Sequence, residues 1–203
     1  KGVQISVFDG GRVYEKHLAF EKNNITRVTN KEDSTMEYDA HATAVTSIIG
    51  GEGYNLYDKN RNLVGNSQGI ATLATFDSYS FENSKLAGEN TEKDVLQKLL
   101  NSSAYLSNHS YGINNGWEYQ EASNENIGTG WYWNGIYNPQ NKQSQNLYGT
   151  YLSYNKGYDD IVYNNPHMIV VKAAGNSYGD GPYGNSDKKF YISGNTYVEF
   201  SSS

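Results

Sequence analysis

The sequence predicts an α/β fold on a mainly parallel central sheet, on three observations. Short apolar runs alternate with helical patterns in the order strand, helix, strand, helix, strand. The runs are apolar on both faces, as in parallel sheets covered by helices. With 203 residues the chain can bury a sizeable core, and nothing in it repeats at a fixed period, which disfavours solenoids and propellers.

Val3-Gln4-Ile5-Ser6-Val7-Phe8 is strand-like and stops at the turn residues Asp9-Gly10-Gly11. A helix of small and β-branched residues follows from His41 to Ile49 and ends at Gly50-Gly51. Gly69 to Phe76 reads as the second buried strand. Asn90 opens the clearest helix, with Val95, Leu96, Leu99 and Leu100 as its apolar stripe and Glu92, Lys93, Asp94, Gln97 and Lys98 on the other faces. Ala104 to Asn108 reads as a third strand, and His167 to Ala174 as the last, ending at Gly175. Between them a polar, Tyr/Trp/Asn-rich stretch at about 113–160 holds all three tryptophans and reads as an insertion.

Composition narrows the function. Sixteen Lys+Arg against 22 Asp+Glu give a formal charge of −6, against the basic stripe that nucleic-acid binding needs. The sequence has no apolar run of 18 residues to span a membrane. Zero cysteines exclude disulfides, thiolate metal sites and a cysteine nucleophile. The 19 Tyr, 25 Asn and 21 Gly suit long polar loops and surfaces that touch polymers, and so many aromatics argue against disorder.

Ligands of parallel sheets bind beyond the carboxyl ends of the strands. Asp9, Ser110 and Asn176 each fall just past a strand end. With His41 at a helix start they compose an ordered set of acid, imidazole and amide. A carboxylate beside an imidazole fixes its tautomer and stabilises the imidazolium, as a general base requires. An amide among backbone donors can bind a developing oxyanion.

These residues resemble the subtilisin-like serine proteases. Asp9 falls on the catalytic aspartate, His41 on the catalytic histidine 32 residues later (41 − 9), and Asn176 on the oxyanion asparagine. His17 matches a structural histidine, and Gly69-Ile70-Ala71 the strand entry after the histidine helix. Leu106 to Gly112 resembles the strand ending in Ser-x-Gly, which implies that Ser110, Tyr111 and Gly112 pair with substrate backbone. Ala173-Ala174-Gly175-Asn176 is nearly the family's usual Ala-Ala-Gly-Asn and places Ala174 and Gly175 at the substrate. The resemblance covers roughly residues 3–50, 69–112 and 161–181. It implies a three-layer subtilisin-like fold, a polypeptide substrate and export from a bacterium; no cofactor is expected, and calcium is left open because no site for it is assignable. Ala42 and Ala44 depart from the family's glycine and second histidine without touching the triad.

The family's nucleophile is a serine in Gly-Thr-Ser-x-Ala, well after the asparagine. Only 27 residues follow Asn176 (203 − 176), none reads Gly-Thr-Ser, and Ser201, Ser202 and Ser203 lack the glycine and the helix. The expectation is therefore a partial catalytic domain over 1–203, incomplete at its C-terminal end and inactive alone; nicking, truncation or a separate second polypeptide carrying the rest each explain it. The alternative is a serine-less binding module that uses the aromatic insertion.

Other motifs have plainer readings. Gly65-Asn66-Ser67-Gln68-Gly69 matches a nucleophile elbow in letters only, because a strand follows it where a helix is needed. Asp58 to Asn62 has calcium-loop spacing, but Leu63 stands where glycine belongs, and Lys59 and Arg61 oppose a cation. Asp180, Asn185 and Asp187 read as a solvated turn, and His109 and His167 as structural. Sequons at Asn24, Asn101 and Asn108 are expected by chance in a chain so rich in Asn.

Overall fold

The structure is a computed structural model that describes residues 2–22, 25–121, 128–177, 179–184, 188–193 and 196–200. Asn24, Asn185, Asp187 and Ser201 to Ser203, singled out above, lie outside the described residues. The chain forms two compact units, Lys1–Tyr111 with Ser153–Ala173, and Gly112–Leu152 with Ala174–Ser203.

In chain order the first unit contains β1 (Gln4–Asp9), β2 (Val28–Asn30), α1 (Ala40–Gly50), β3 (Thr75–Ser80), α2 (Val95–Leu100), β4 (Leu106–His109), α3 (Ser153–Asn164) and β5 (Ile169–Lys172). The five strands pair in the order β5-β4-β1-β3-β2, every pair parallel. β1 is central, and its last five residues are buried. Side chains alternate across it. Ile5 and Val7 join Val13, Phe20, Phe76 and Ala42 of α1 in one apolar cluster. Phe8 points the other way, into a cluster with Tyr79, Val95 and Leu99 of α2, and Tyr158 and Ile161 of α3. Helices thus cover both faces of the sheet, making three layers. Along one register row Phe8 stacks on Tyr79 at 4.8 Å and on His109 at 4.6 Å.

Two elements lie elsewhere than the apolar pattern places them. The second buried strand is Thr75–Ser80, not residues 69–76; Ile70 and Leu73, which suggested the earlier span, are 91% and 75% exposed. β3 instead buries polar side chains that find partners. Ser78 Oγ accepts from Val13 N at 3.0 Å, and Asp77 accepts from Gln4 at 2.7 Å and pairs with Lys31 at 3.4 Å. α2 begins after Asp94, not at Asn90, because Glu92 and Lys93 are taken up in a short antiparallel pair with Ser84 and Lys85. Asp94 and Gln97 close a capping box there. The aliphatic stripe is also cut down, with Leu100 exposed.

Lys98, assigned to the outer face of that helix, is fully buried. Its three N–H groups are shared among four acceptors, Glu32 Oε1 at 2.8 Å, the carbonyls of Ser80 (3.0 Å) and Glu82 (2.8 Å), and Ser84 Oγ. Glu32 in turn accepts from Ser80 N and Ser84 Oγ, each at 2.7 Å. Both charges are therefore satisfied in full, the condition on which a buried ion pair can exist. The pair grips both backbone groups of Ser80, the β3 residue in register with Asp9.

The second unit is built on aromatics. Trp117–Gln120, Gly130–Trp133, Lys189–Ser193 and Thr196–Glu199 form a four-stranded sheet in that order, antiparallel, parallel and antiparallel. Tyr132 is fully buried, stacked on Phe190 at 4.7 Å and edge-on to Tyr197 at 4.7 Å. Trp131 and Trp133 are buried beside it.

Lys98→Met leaves the Glu32 carboxylate buried without its cation. Urea denaturation should show a loss of about 3–5 kcal/mol of unfolding free energy. Combining it with Glu32→Leu should recover much of that loss; a double variant as unstable as the single one would refute the ion-pair account.

Candidate active site

The turn at the end of β1 brings the start of α1 to the strand end. Gly10 and Gly11 lie against the chain before α1: a Cβ on Gly11 would sit 2.9 Å from the Glu37 carbonyl oxygen and 3.0 Å from the Asp39 Cβ. Through that gap Arg12 N donates to Glu37 O at 3.1 Å, and Asp39 N to Arg12 O at 2.8 Å. Asp39 is the N-cap of α1, its Oδ1 accepting from Ala42 N at 2.6 Å. His41 in the first turn is thereby carried to the carboxylate ending β1.

His41 Nδ1 lies 2.8 Å from Asp9 Oδ1. An ionised carboxylate only accepts, so Nδ1 carries the proton and Nε2 is the basic nitrogen. Gly10 N donates to the same oxygen at 2.8 Å, while Asp9 Oδ2, buried, has no hydrogen-bond partner among the described residues. Burial is lopsided: the Asp9 side chain is 4% exposed and that of His41 61%. The hydrogen bond from His41 to Asp9 and the charge of Asp9 raise the histidine's pKa above its ordinary 6.5, with a smaller contribution from Asp39. The dyad is thus an imidazole held in one tautomer, made more basic, and open to solvent. Asp9, Asp39 and His41 also offer ligand atoms within 4.8 Å of one another, the spacing of a metal site, but each already holds a hydrogen bond.

Ser110 and Tyr111 follow β4 in the first unit. Ser110 Oγ accepts from Asn108 at 2.9 Å, and Tyr111 Oη bonds His109 Nδ1 at 2.9 Å. Gly112, Ala174, Gly175 and Asn176 belong to the second unit. There Gly175 has φ +106°, a conformation that side chains resist, so a glycine is required before Asn176. Asn176 is exposed.

Ser67 binds both backbone groups of Tyr54, accepting from its N–H at 3.4 Å and donating to its carbonyl at 3.3 Å, as a loop residue. Asp58 spends its carboxylate on the turn it closes, accepting from Asn60 N and Asn62 N at 2.8 Å each. His17 Nδ1 accepts from Ala19 N at 3.2 Å. His109 is enclosed, and burial together with the Lys172 charge pushes its pKa down to about 3. Asp39 escaped notice in the sequence, although an acid two residues before His41 is an N-cap signal.

A model of the Subtilase family of S8 peptidases matches residues 1–197. The chain belongs to the subtilase family. No curated protein and no solved structure matches it. Subtilases are serine peptidases, and commonly secreted ones; among the described residues of this subtilase no helix is long and apolar enough to cross a membrane.

Imidazole NMR should place the His41 pKa above 6.5 and return it to 6.5 or below in Asp9→Asn. A raised folded pKa means that the pair's contribution to stability is fully present below the unfolded value near 6.5. It is then lost as pH rises through the folded value. A wild-type His41 titrating at or below 6.5 would refute the coupling.

Proposed function

We propose that this subtilase is part of a serine endopeptidase in which His41 is the general base and Asp9 orients it. The observation that carries this is the 2.8 Å contact between His41 Nδ1 and the buried Asp9 carboxylate at the carboxyl end of the central strand. The attacking serine belongs to a segment outside residues 1–203, since no Gly-Thr-Ser follows Asn176. His41 Nε2 takes the serine proton as its oxygen attacks the peptide carbonyl, then delivers it to the leaving amine. Asn176 supplies an amide donor to the oxyanion. Substrate backbone adds as a strand beside Ser110, Tyr111 and Gly112 and along Ala174 and Gly175. No metal or cofactor enters these steps. Family membership also supports an extracytoplasmic setting.

A binding role for the aromatic segment is the weaker reading. Trp131 and Trp133, on which it would call, are packed inside the second unit.

Labelling a native preparation with a fluorophosphonate, followed by intact-mass spectrometry, tests the proposal. The expected result is label on a second, serine-bearing polypeptide that accompanies this chain, with Asp9→Asn slowing its peptide hydrolysis by roughly 10⁴-fold. A single unlabelled species near 22.7 kDa would overturn it.

A further inference from the structure

Lys172 ends β5, on the side of the sheet where ligands of parallel sheets bind. Its Nζ lies 4.1 Å from the ring centroid of Tyr111, 4.8 Å from that of Tyr158 and 5.5 Å from that of Tyr154. The three phenols hold one another in place, Tyr111 Oη to Tyr158 Oη at 2.7 Å and Tyr158 Oη to Tyr154 Oη at 3.0 Å. The chain is anchored at the buried His109, whose Nδ1 meets Tyr111 Oη and whose Nε2 meets Ser107 Oγ at 3.1 Å. The cage is thus built by the sheet and α3 and does not depend on a ligand to form.

What the cage lacks is an anion. Among the described residues Lys172 Nζ donates no hydrogen bond and pairs with no carboxylate, so its contacts are ring faces alone. Ring faces attract a cation but accept no strong hydrogen bond, leaving three N–H donors to be used. Packing against the rings also lowers the lysine's pKa, through burial of the ammonium. Lys172 as a residue remains exposed, so an incoming group can reach it. The cage wall, Tyr111, is the middle residue of Ser110-Tyr111-Gly112. We infer that Lys172, framed by Tyr111, Tyr154 and Tyr158, is a subsite for an acidic side chain of the polypeptide laid along Ser110 to Gly112. The inference rests on the reading of that segment as the substrate strand. Aspartate or glutamate satisfies the ammonium with a charge-assisted hydrogen bond, while the tyrosines shield the pair from water.

The test uses fluorescent extended peptides of Ala and Ser carrying one Glu at each position in turn, with a matching set carrying Gln. Binding to the 203-residue chain is read by anisotropy. One Glu peptide is expected to bind roughly tenfold tighter than its Gln partner, the scale of one added charge-assisted hydrogen bond. Lys172→Met should erase that preference with the Gln peptide unchanged, and Lys172→Arg should keep it. Equal binding of the Glu and Gln sets by the wild type would overturn the subsite while leaving the substrate-strand reading intact. Binding of neither set would overturn both. A Glu preference that survives in Lys172→Met would place the acid elsewhere and also overturn the subsite. The wild-type comparison needs no substitution, so it decides even if Lys172→Met fails to fold.

Discussion

A carboxylate buried at the end of a central strand is costly unless its charge is met, and the first unit is arranged around meeting it at Asp9. Oδ1 receives one backbone N–H and one imidazole N–H, and the imidazole can arrive only because α1 starts there. That start depends on Asp39 as cap and on two glycines that let residues 37–39 lie against the strand end. From the other side, β3 presents Ser80 in register with Asp9, and Phe81 N donates to the Asp9 carbonyl at 2.9 Å. Glu32 and Lys98 fix the backbone of Ser80 in turn. One buried charge at the carboxyl end of the sheet is thus steadied by a second, fully compensated pair behind it.

The three layers serve different ends. Below β1, aliphatic and phenylalanine side chains bind α1 to the sheet without directional demands. Above it, the Tyr79, Phe8 and His109 stack leads into hydrogen-bonded phenols. Burial holds His109 neutral near pH 7, so this second histidine adds no charge in competition with His41. The two histidines at the carboxyl end of the sheet therefore have opposite electrostatic characters, one enclosed and one open, set by environment.

Much of this is legible in the sequence, because β1 is an apolar run that stops at Asp9 and α1 a run of small and β-branched residues that opens beside His41. Their order and the resemblance single out Asp9 and His41, and the fold brings the two into hydrogen-bond contact. The apolar pattern misplaces β3 because its burial is polar: Asp77, Ser78 and Ser80 are inside only because Gln4, Val13, Glu32 and Lys98 meet them, and such partners are far away in the chain. Lys98 looked like a solvated charge for the same reason. α3, rich in Tyr, Asn and Asp, has too weak an apolar stripe to announce itself; Tyr158 and Ile161 alone are buried in it. In the second unit the aromatic content was plain, but not that Trp131 and Trp133 would turn inward.

The strand order also has a kinetic consequence. β1 precedes both of its partners in sequence yet lies in the middle of the sheet, so Ile5 must wait for Phe76 on one side and Leu106 on the other. Nothing local can stabilise it in the meantime, and closing such long loops costs entropy before any contact repays it. The first unit should therefore fold slowly and nearly all at once, with an unpaired apolar strand exposed to aggregation until its neighbours are made.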